Sequence, residues 1–242
     1  MISEVFAVTL PGFAIGAVFM ALANRHVEPE TARARWLKLG VFGLIVHAVL
    51  AVSAGGRPWV TVLVALILLA AAWELWHAWQ RVPRMRPALV WPVFMLVAML
   101  GLAASWLLPS TVFAFLFLVT AACDGFSQVV GQWVGRRKLA PGTSPGKTVE
   151  GLAGGLFAAV AVALLVRHLL HGATAWGAAM LALLTGLAGL VGDLAASWVK
   201  RRAGIKDYSA ALPGQGGFLD RFDSLLGALA VVGTLLVFAD GR

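Results

Sequence analysis

Four aspartates stand where acidic residues are costly. Asp124 and Asp193 fall inside or at the ends of long apolar runs, and Asp220 and Asp223 open the last run. A charged side chain at the centre of a bilayer costs at least about 2.5 kcal/mol on insertion scales, which makes each a candidate for function unless it reaches water near a helix end. Spacing strengthens the case. Asp193, Ser197 and Lys200 share one helix face, so a carboxylate, a hydroxyl and an amine point the same way. Asp124, Ser127, Gln128 and Gly131 repeat that geometry upstream, and Gly131 is small enough to admit another helix or a ligand. Asp220 and Asp223 stack on one face at the start of a helix. Two readings are open for that pair. One is favourable charge at a helix N-terminus. The other is a carboxylate cluster for Mg²⁺, a hard cation usually held by one or two carboxylates together with substrate phosphates. Asp193 and Asp220 close the two ends of one loop between adjacent spans, so they can meet.

The loop itself is rich in charge. Only 12% of the chain is charged, yet the window from Ser197 to Ser224 holds Lys200, Arg201, Arg202, Lys206, Asp207, Asp220, Arg221 and Asp223. Within it, Pro213-Gly214-Gln215-Gly216-Gly217 is a turn whose glycines allow positive φ and let backbone amides face an anion, or else an ordinary surface loop. An earlier loop, Gly142 to Thr148, resembles a phosphate loop but has three residues, not four, between its first glycine and Gly146-Lys147-Thr148. No strand is expected before it either, so the P-loop reading is rejected. Its chemistry still suits phosphate: Lys147 is a point charge, Ser144 and Thr148 carry hydroxyls, and a helix N-terminus follows. The five histidines pair with no carboxylate at metal-ligand spacing. Glu74, with His77 three residues on, reads as a local polar pair inside an apolar span.

The elements that must position these groups are membrane helices. The chain has 242 residues, 60% of them hydrophobic, and a mean hydropathy of +0.88. Runs near the ~20 residues needed to cross a bilayer core predict an all-α, polytopic membrane protein of about eight spans. The expected spans begin near Glu4 and Trp36, after the tight Gly55-Gly56-Arg57-Pro58 turn, and near Ala88, Ser110, Gly151, Ala173 and Phe222. The apolar segments are continuous and not alternating, which excludes a barrel. The net charge of +8 is spread over short loops, which fits the positive-inside pattern and argues against a nucleic-acid partner. Alternating the spans puts all the Lys and Arg residues except Arg57, Arg167 and Arg242 on the cytoplasmic side, with both termini outside. The first segment lacks a basic flank and reads as a transmembrane helix, not a cleaved signal. Lone Cys123 excludes an intramolecular disulfide. Nearly all the intramembrane polar groups lie in the second half. No sharp domain boundary stands out, but this contrast separates N-terminal transmembrane helices over 1–109 from a C-terminal transmembrane region over 110–242, where any catalytic site, in a polar cavity among the C-terminal spans, is expected.

The window Ser197-x-x-Lys200-Arg201, Lys206-Asp207, then Pro213-Gly214-Gln215-Gly216-Gly217-x-x-Asp220-Arg221-x-Asp223 resembles the signature of the phosphatidate cytidylyltransferases, the CDP-diacylglycerol synthases. Ser144-Pro145-Gly146-Lys147-Thr148-Val149-Glu150-Gly151 is similar to that family's second motif, and the resemblance spans about Cys123 to Ser224. It implies transfer of a cytidylyl group from CTP to phosphatidate in the bilayer, with release of pyrophosphate. It also implies Mg²⁺, is compatible with a second, monovalent cation and with a homodimer, and suits an inner (plasma) membrane enzyme with a cytoplasmic site. By matching positions, Asp193 and Asp220 would hold the metal. Together with Lys200 and Asp223 they would form the catalytic set. Asp124, Ser144, Lys147, Ser197, Arg201, Lys206, Gln215 and Arg221 would contact substrate. Two positions depart from the pattern: Gln215 replaces a usual His, and Phe126-Ser127 replaces a usual Ala-Tyr. A CTP-dependent prenol-type lipid kinase and a proton- or Na⁺-coupled transporter are the alternatives.

Overall fold

The computed structural model describes residues 2–25, 27–80, 87–239 and 241. His26, Arg242 and the expected basic loop with Arg81, Pro83, Arg84 and Arg86 lie outside the described residues. Helices α1 (Ile2–Ala23), α2 (Pro29–Ala54), α3 (Arg57–Gln80), α4 (Pro87–Leu107) and α5 (Ser110–Val134) come first. Strands β1 (Lys138–Ala140) and β2 (Ser144–Thr148) follow, then α6 (Val149–Leu165) and α7 (Ala175–Arg202). Helix α8 (Phe218–Ala228) runs through a π turn (Leu229–Gly233) into α9 (Thr234–Ala239). Six described helices, the last being 218–239, are long and apolar enough to cross a membrane. The protein is thus a polytopic helical membrane protein.

Local chemistry sets the helix ends. Pro29 starts α2, where its missing N–H costs nothing. Thr174 caps α7 by accepting a hydrogen bond from Gly177 N at 3.0 Å, and Thr148 caps α6 through Gly151 N at 3.1 Å. Several helices begin or end away from the expected span limits because hydropathy marks membrane depth and not helix length. Arg33, Arg35 and Lys38, expected in a loop, lie on α2. Lys200, Arg201 and Arg202 extend α7, and α8 starts at Phe218, so Asp220 and Asp223 sit in its first two turns. Helix α6 has 17 residues and breaks into a 3₁₀ turn at Arg167–Leu170, short of the expected sixth span.

The polar loop before α6 also differs from expectation. A strand does precede the Lys147 segment: β1 and β2 form an antiparallel hairpin turned at Pro141-Gly142, with Lys138 opposite Thr148 and Ala140 opposite Ser144. This is still not a phosphate loop, since the strands form a hairpin and Thr148 spends its hydroxyl on the α6 cap.

Helix α5 runs through the centre, where Phe113, Phe115, Leu116 and Val119 are essentially inaccessible. It packs most extensively on α6, while α7 packs on α8. Large apolar side chains such as Phe157, Trp176 and Phe238 face outward, as a lipid-facing surface requires. Helices α7 and α8 meet at glycines. A Cβ at Gly192 would lie 2.5 Å from the Asp223 carbonyl oxygen and 3.0 Å from the Gly227 Cα. The glycines therefore let the two backbones touch beside Asp193 and Asp223.

Candidate active site

Three helices and the hairpin bring the charged groups together. On α7, Ser197 Oγ donates to Asp193 Oδ1 at 3.1 Å, as the shared helix face predicts. The other oxygen, Asp193 Oδ2, pairs with Lys147 Nζ at 2.5 Å, which ties the hairpin to α7. Burial alone would lower the Lys147 pKa, but the adjacent Asp193 carboxylate outweighs it and holds the ammonium above its usual range. Asp124 on α5 and Asp223 on α8 lie within electrostatic range of each other and of Asp193. Lys147, Lys200 and Arg221 face this acidic group. Asp124 also lines a small cleft with Arg221, Phe42 and Thr120.

Asp220 is placed differently from the other three. Its Oδ1 accepts from Lys200 Nζ at 2.7 Å, and its Oδ2 accepts from Tyr208 N at 2.7 Å and Gly217 N at 2.9 Å. The first reading of the Asp220/Asp223 pair holds for Asp220, which closes the N-terminus of α8, while Asp223 faces the other carboxylates. The turn between has positive φ at Gly214 (72°) and Gly216 (81°), as its sequence predicts. Gln215 bridges two elements: its Nε2 donates to the Lys38 carbonyl of α2 at 2.8 Å, and its Oε1 accepts from Arg221 Nη1 at 2.8 Å. The Arg221 guanidinium then lies 5.4 Å from the centre of the Phe42 ring.

Other expected residues sit further out. Arg201 is exposed and donates from Nε to the Thr143 carbonyl at 3.1 Å, clasping the hairpin tip. Lys206 is exposed and makes no hydrogen bond or ion pair among the described residues. Ser144 opens β2 on the same tip. Of the upstream face, only Asp124 turns to the site. Ser127 and Gly131 pack toward Gly155 and Gly151 of α6, and Gln128 is exposed.

Two residues that spacing did not bring to the site are part of its frame. Tyr208, the lone tyrosine, is buried and donates its hydroxyl to the Ala196 carbonyl at 2.9 Å. Burial pushes its phenol up, and Asp223, Asp220 and Glu74 push the same way. Glu74 does not pair with His77, whose Nδ1 meets the Trp73 carbonyl at 2.8 Å instead. It reaches across to the start of α8. An ionisable residue deep in an apolar span was the available signal, and the nearby histidine masked it.

Among the described residues, no three His, Cys, Asp or Glu side chains form a ready metal cage. The donor chemistry nevertheless fits a hard cation. Carboxylates from α5, α7 and α8 face one another, and Mg²⁺ needs only one or two of them when substrate phosphates complete its shell.

The site coincides with a family match. The profile of the cytidylyltransferase family fits residues 109–239, which carry all four aspartates. The chain belongs to the cytidylyltransferase family. It is 36% identical over 230 residues to the phosphatidate cytidylyltransferase of Brucella abortus biovar 1 (strain 9-941), covering 93% of this chain and 82% of that one. It is 38% identical over 122 residues to the phosphatidate cytidylyltransferase of Staphylococcus aureus (strain COL), covering 50% of this chain and 47% of that one. Helices α1 to α4 lie outside the family match, yet the Brucella protein aligns over most of the chain.

Proposed function

We propose that the protein transfers the cytidylyl group of CTP to phosphatidate, giving CDP-diacylglycerol and pyrophosphate. The observation that carries this reading is the near-full-length similarity to a phosphatidate cytidylyltransferase, joined to a polar site that draws carboxylates and cations from three helices and the hairpin. An oxygen of the phosphatidate phosphate attacks the α-phosphorus of CTP. The bond from that phosphorus to the oxygen bridging to the β-phosphate breaks, and pyrophosphate leaves with the electron pair. The attacking phosphate monoester is already largely ionised at pH 7, so no residue need remove a proton. Gln215, which cannot titrate near neutrality, therefore suffices where the family pattern has His.

The protein's task is to hold two anions together. Lys147, Lys200 and Arg221 offset the repulsion between the substrates, and Arg201 and Lys206 at the rim attract the nucleotide. Asp193 would hold Mg²⁺, with Asp223 or Asp124 as the second carboxylate: Asp220 is fixed at the α8 N-terminus by two backbone amides and Lys200, whereas the partners of Asp193 are the side chains of Ser197 and Lys147, which can turn to a substrate phosphate. When bound, the cation supplies charge neutralisation on the phosphates and the leaving pyrophosphate. A cavity of about 330 Å³ between α4, α7 and α8 supports a lipid substrate. Its walls are apolar, with Val93, Val97 and Ala195 among them, and Asp223 lines it too. The density of Lys and Arg around the site supports a cytoplasmic orientation in the inner membrane.

Purified protein given CTP, Mg²⁺ and phosphatidate in mixed micelles is expected to release pyrophosphate and form CDP-diacylglycerol. Release of CDP with a lipid alcohol as acceptor would replace this reading with a lipid kinase. No turnover, with ion-coupled uptake in proteoliposomes, would replace it with a transporter.

A further inference from the structure

Glu74 lies outside the family match and outside both motifs, yet it touches the element that carries three of the site's charged residues. It projects from α3 and is 1% exposed. Its Oε1 accepts from Ser209 Oγ at 2.6 Å and from Phe218 N at 2.9 Å, and its Oε2 accepts from Leu219 N at 2.8 Å. Phe218 and Leu219 are the first two residues of α8, whose amides have no acceptor within the helix. Asp220, Arg221 and Asp223 follow directly. No ion pair to Glu74 forms among the described residues, so the helix N-terminus is itself the counter-charge.

The same carboxylate accounts for a glycine. Gly217 has an ordinary φ of −87°, so backbone freedom does not require it. A Cβ there would fall 2.6 Å from Glu74 Oε2 and 2.7 Å from its carboxyl carbon, a separation real Cβ atoms do not tolerate. Of the paired glycines in the motif, the first serves the turn and the second makes room for Glu74.

The geometry points to Glu74 as a positioning residue of the transfer reaction: from α3 it clamps the N-terminus of α8 and so sets the aim of Arg221 and Asp223 at the acidic site. This rests on the proposed activity. It adds an anchor in the N-terminal half that neither motif contains. A Gln in its place keeps the shape but turns an NH₂ toward one of the two α8 amides, which then has no acceptor.

The test uses the full chain in detergent or nanodiscs, with Glu74→Gln, Glu74→Asp, Glu74→Ala, Gly217→Ala and the Glu74→Ala/Gly217→Ala double variant. In Glu74→Gln, hydrogen exchange over 209–222 is expected to quicken at least about tenfold while α5 keeps its protection. The kcat for pyrophosphate release should fall at least about tenfold with KM for CTP changed less than about threefold, the mark of an effect on aim and not on binding. Glu74→Asp, which keeps the charge, should recover part of that kcat. In thermal unfolding, Gly217→Ala should cost clearly less in the Glu74→Ala background than in the natural chain. Unchanged exchange over 209–222, faster exchange spread equally through α5, or an equal cost of Gly217→Ala in both backgrounds would each overturn the assignment. Exchange and unfolding read Glu74 without turnover, whereas an inactive natural chain counts against the proposed reaction alone.

Discussion

At Asp193 one oxygen is paired with Lys147 and the other accepts from Ser197. In the proposed reaction a substrate phosphate and its cation would draw on both partners. Asp193→Asn should therefore lower kcat at least about 100-fold, the scale of losing a main electrostatic contact, while the thermal unfolding midpoint moves by only a few degrees. Asp220→Asn should differ. It should also abolish turnover, but it weakens acceptors for Lys200 and two backbone amides, so its midpoint should fall further than that of Asp193→Asn. Paired melting curves and pyrophosphate assays check the contrast. Tyr208 gives a pH test. Burial holds its phenol above the usual tyrosine range in the folded protein, so above about pH 10 the unfolded chain ionises first and stability falls as pH rises. Below that pH both states keep the proton and Tyr208 adds no slope. Tyr208→Phe should cost about 1 kcal/mol at pH 8 through the lost bond to Ala196, and its gap from the natural chain should narrow above pH 10.

At the scale of elements, the approach of α7 and α8 decides whether Asp193 and Asp223 can face each other. Gly192→Ala must push the Asp223 carbonyl and the Gly227 backbone away. Overpacking of this kind costs about 1–3 kcal/mol, and activity should fall with it; melting and turnover measured together check this. The shared face of Asp193, Ser197 and Lys200 was legible because helical periodicity alone puts them side by side. The hairpin was not legible. Its strands are only three and five residues long, and Ser-Pro-Gly-Lys-Thr has no strand-like alternation. Hydropathy starts the last span at Phe222, four residues after α8 begins, because Asp220 and Arg221 interrupt the apolar run that it follows.

For the whole molecule, the fold class followed from apolar run length, and the family followed from the order of charged and glycine residues over a long window. Contacts between distant spans leave no trace in spacing. Ser209 and Glu74 are 135 residues apart, and Gln215 and Lys38 are 177 apart. Each side of these contacts looks ordinary by itself: a serine in a loop, a glutamate near a histidine, a lysine before an apolar run. The expected boundary near residue 109 therefore separates polar content but not the physical support of the site, since α2 and α3 both grip the loop before α8.

That grip bears on how the gene could be cut or recombined. A polypeptide beginning at Ser110 would retain the complete signature yet leave Phe218 N and Leu219 N without their acceptor and Gln215 without its Lys38 anchor. Expressed alone it should be inert. Supplying 1–109 as a separate chain in the same membrane should restore turnover, and a version of that chain carrying Glu74→Ala should complement poorly. Chimeras that graft the signature half onto foreign leading helices should work only where the donor brings a carboxylate to the same spot.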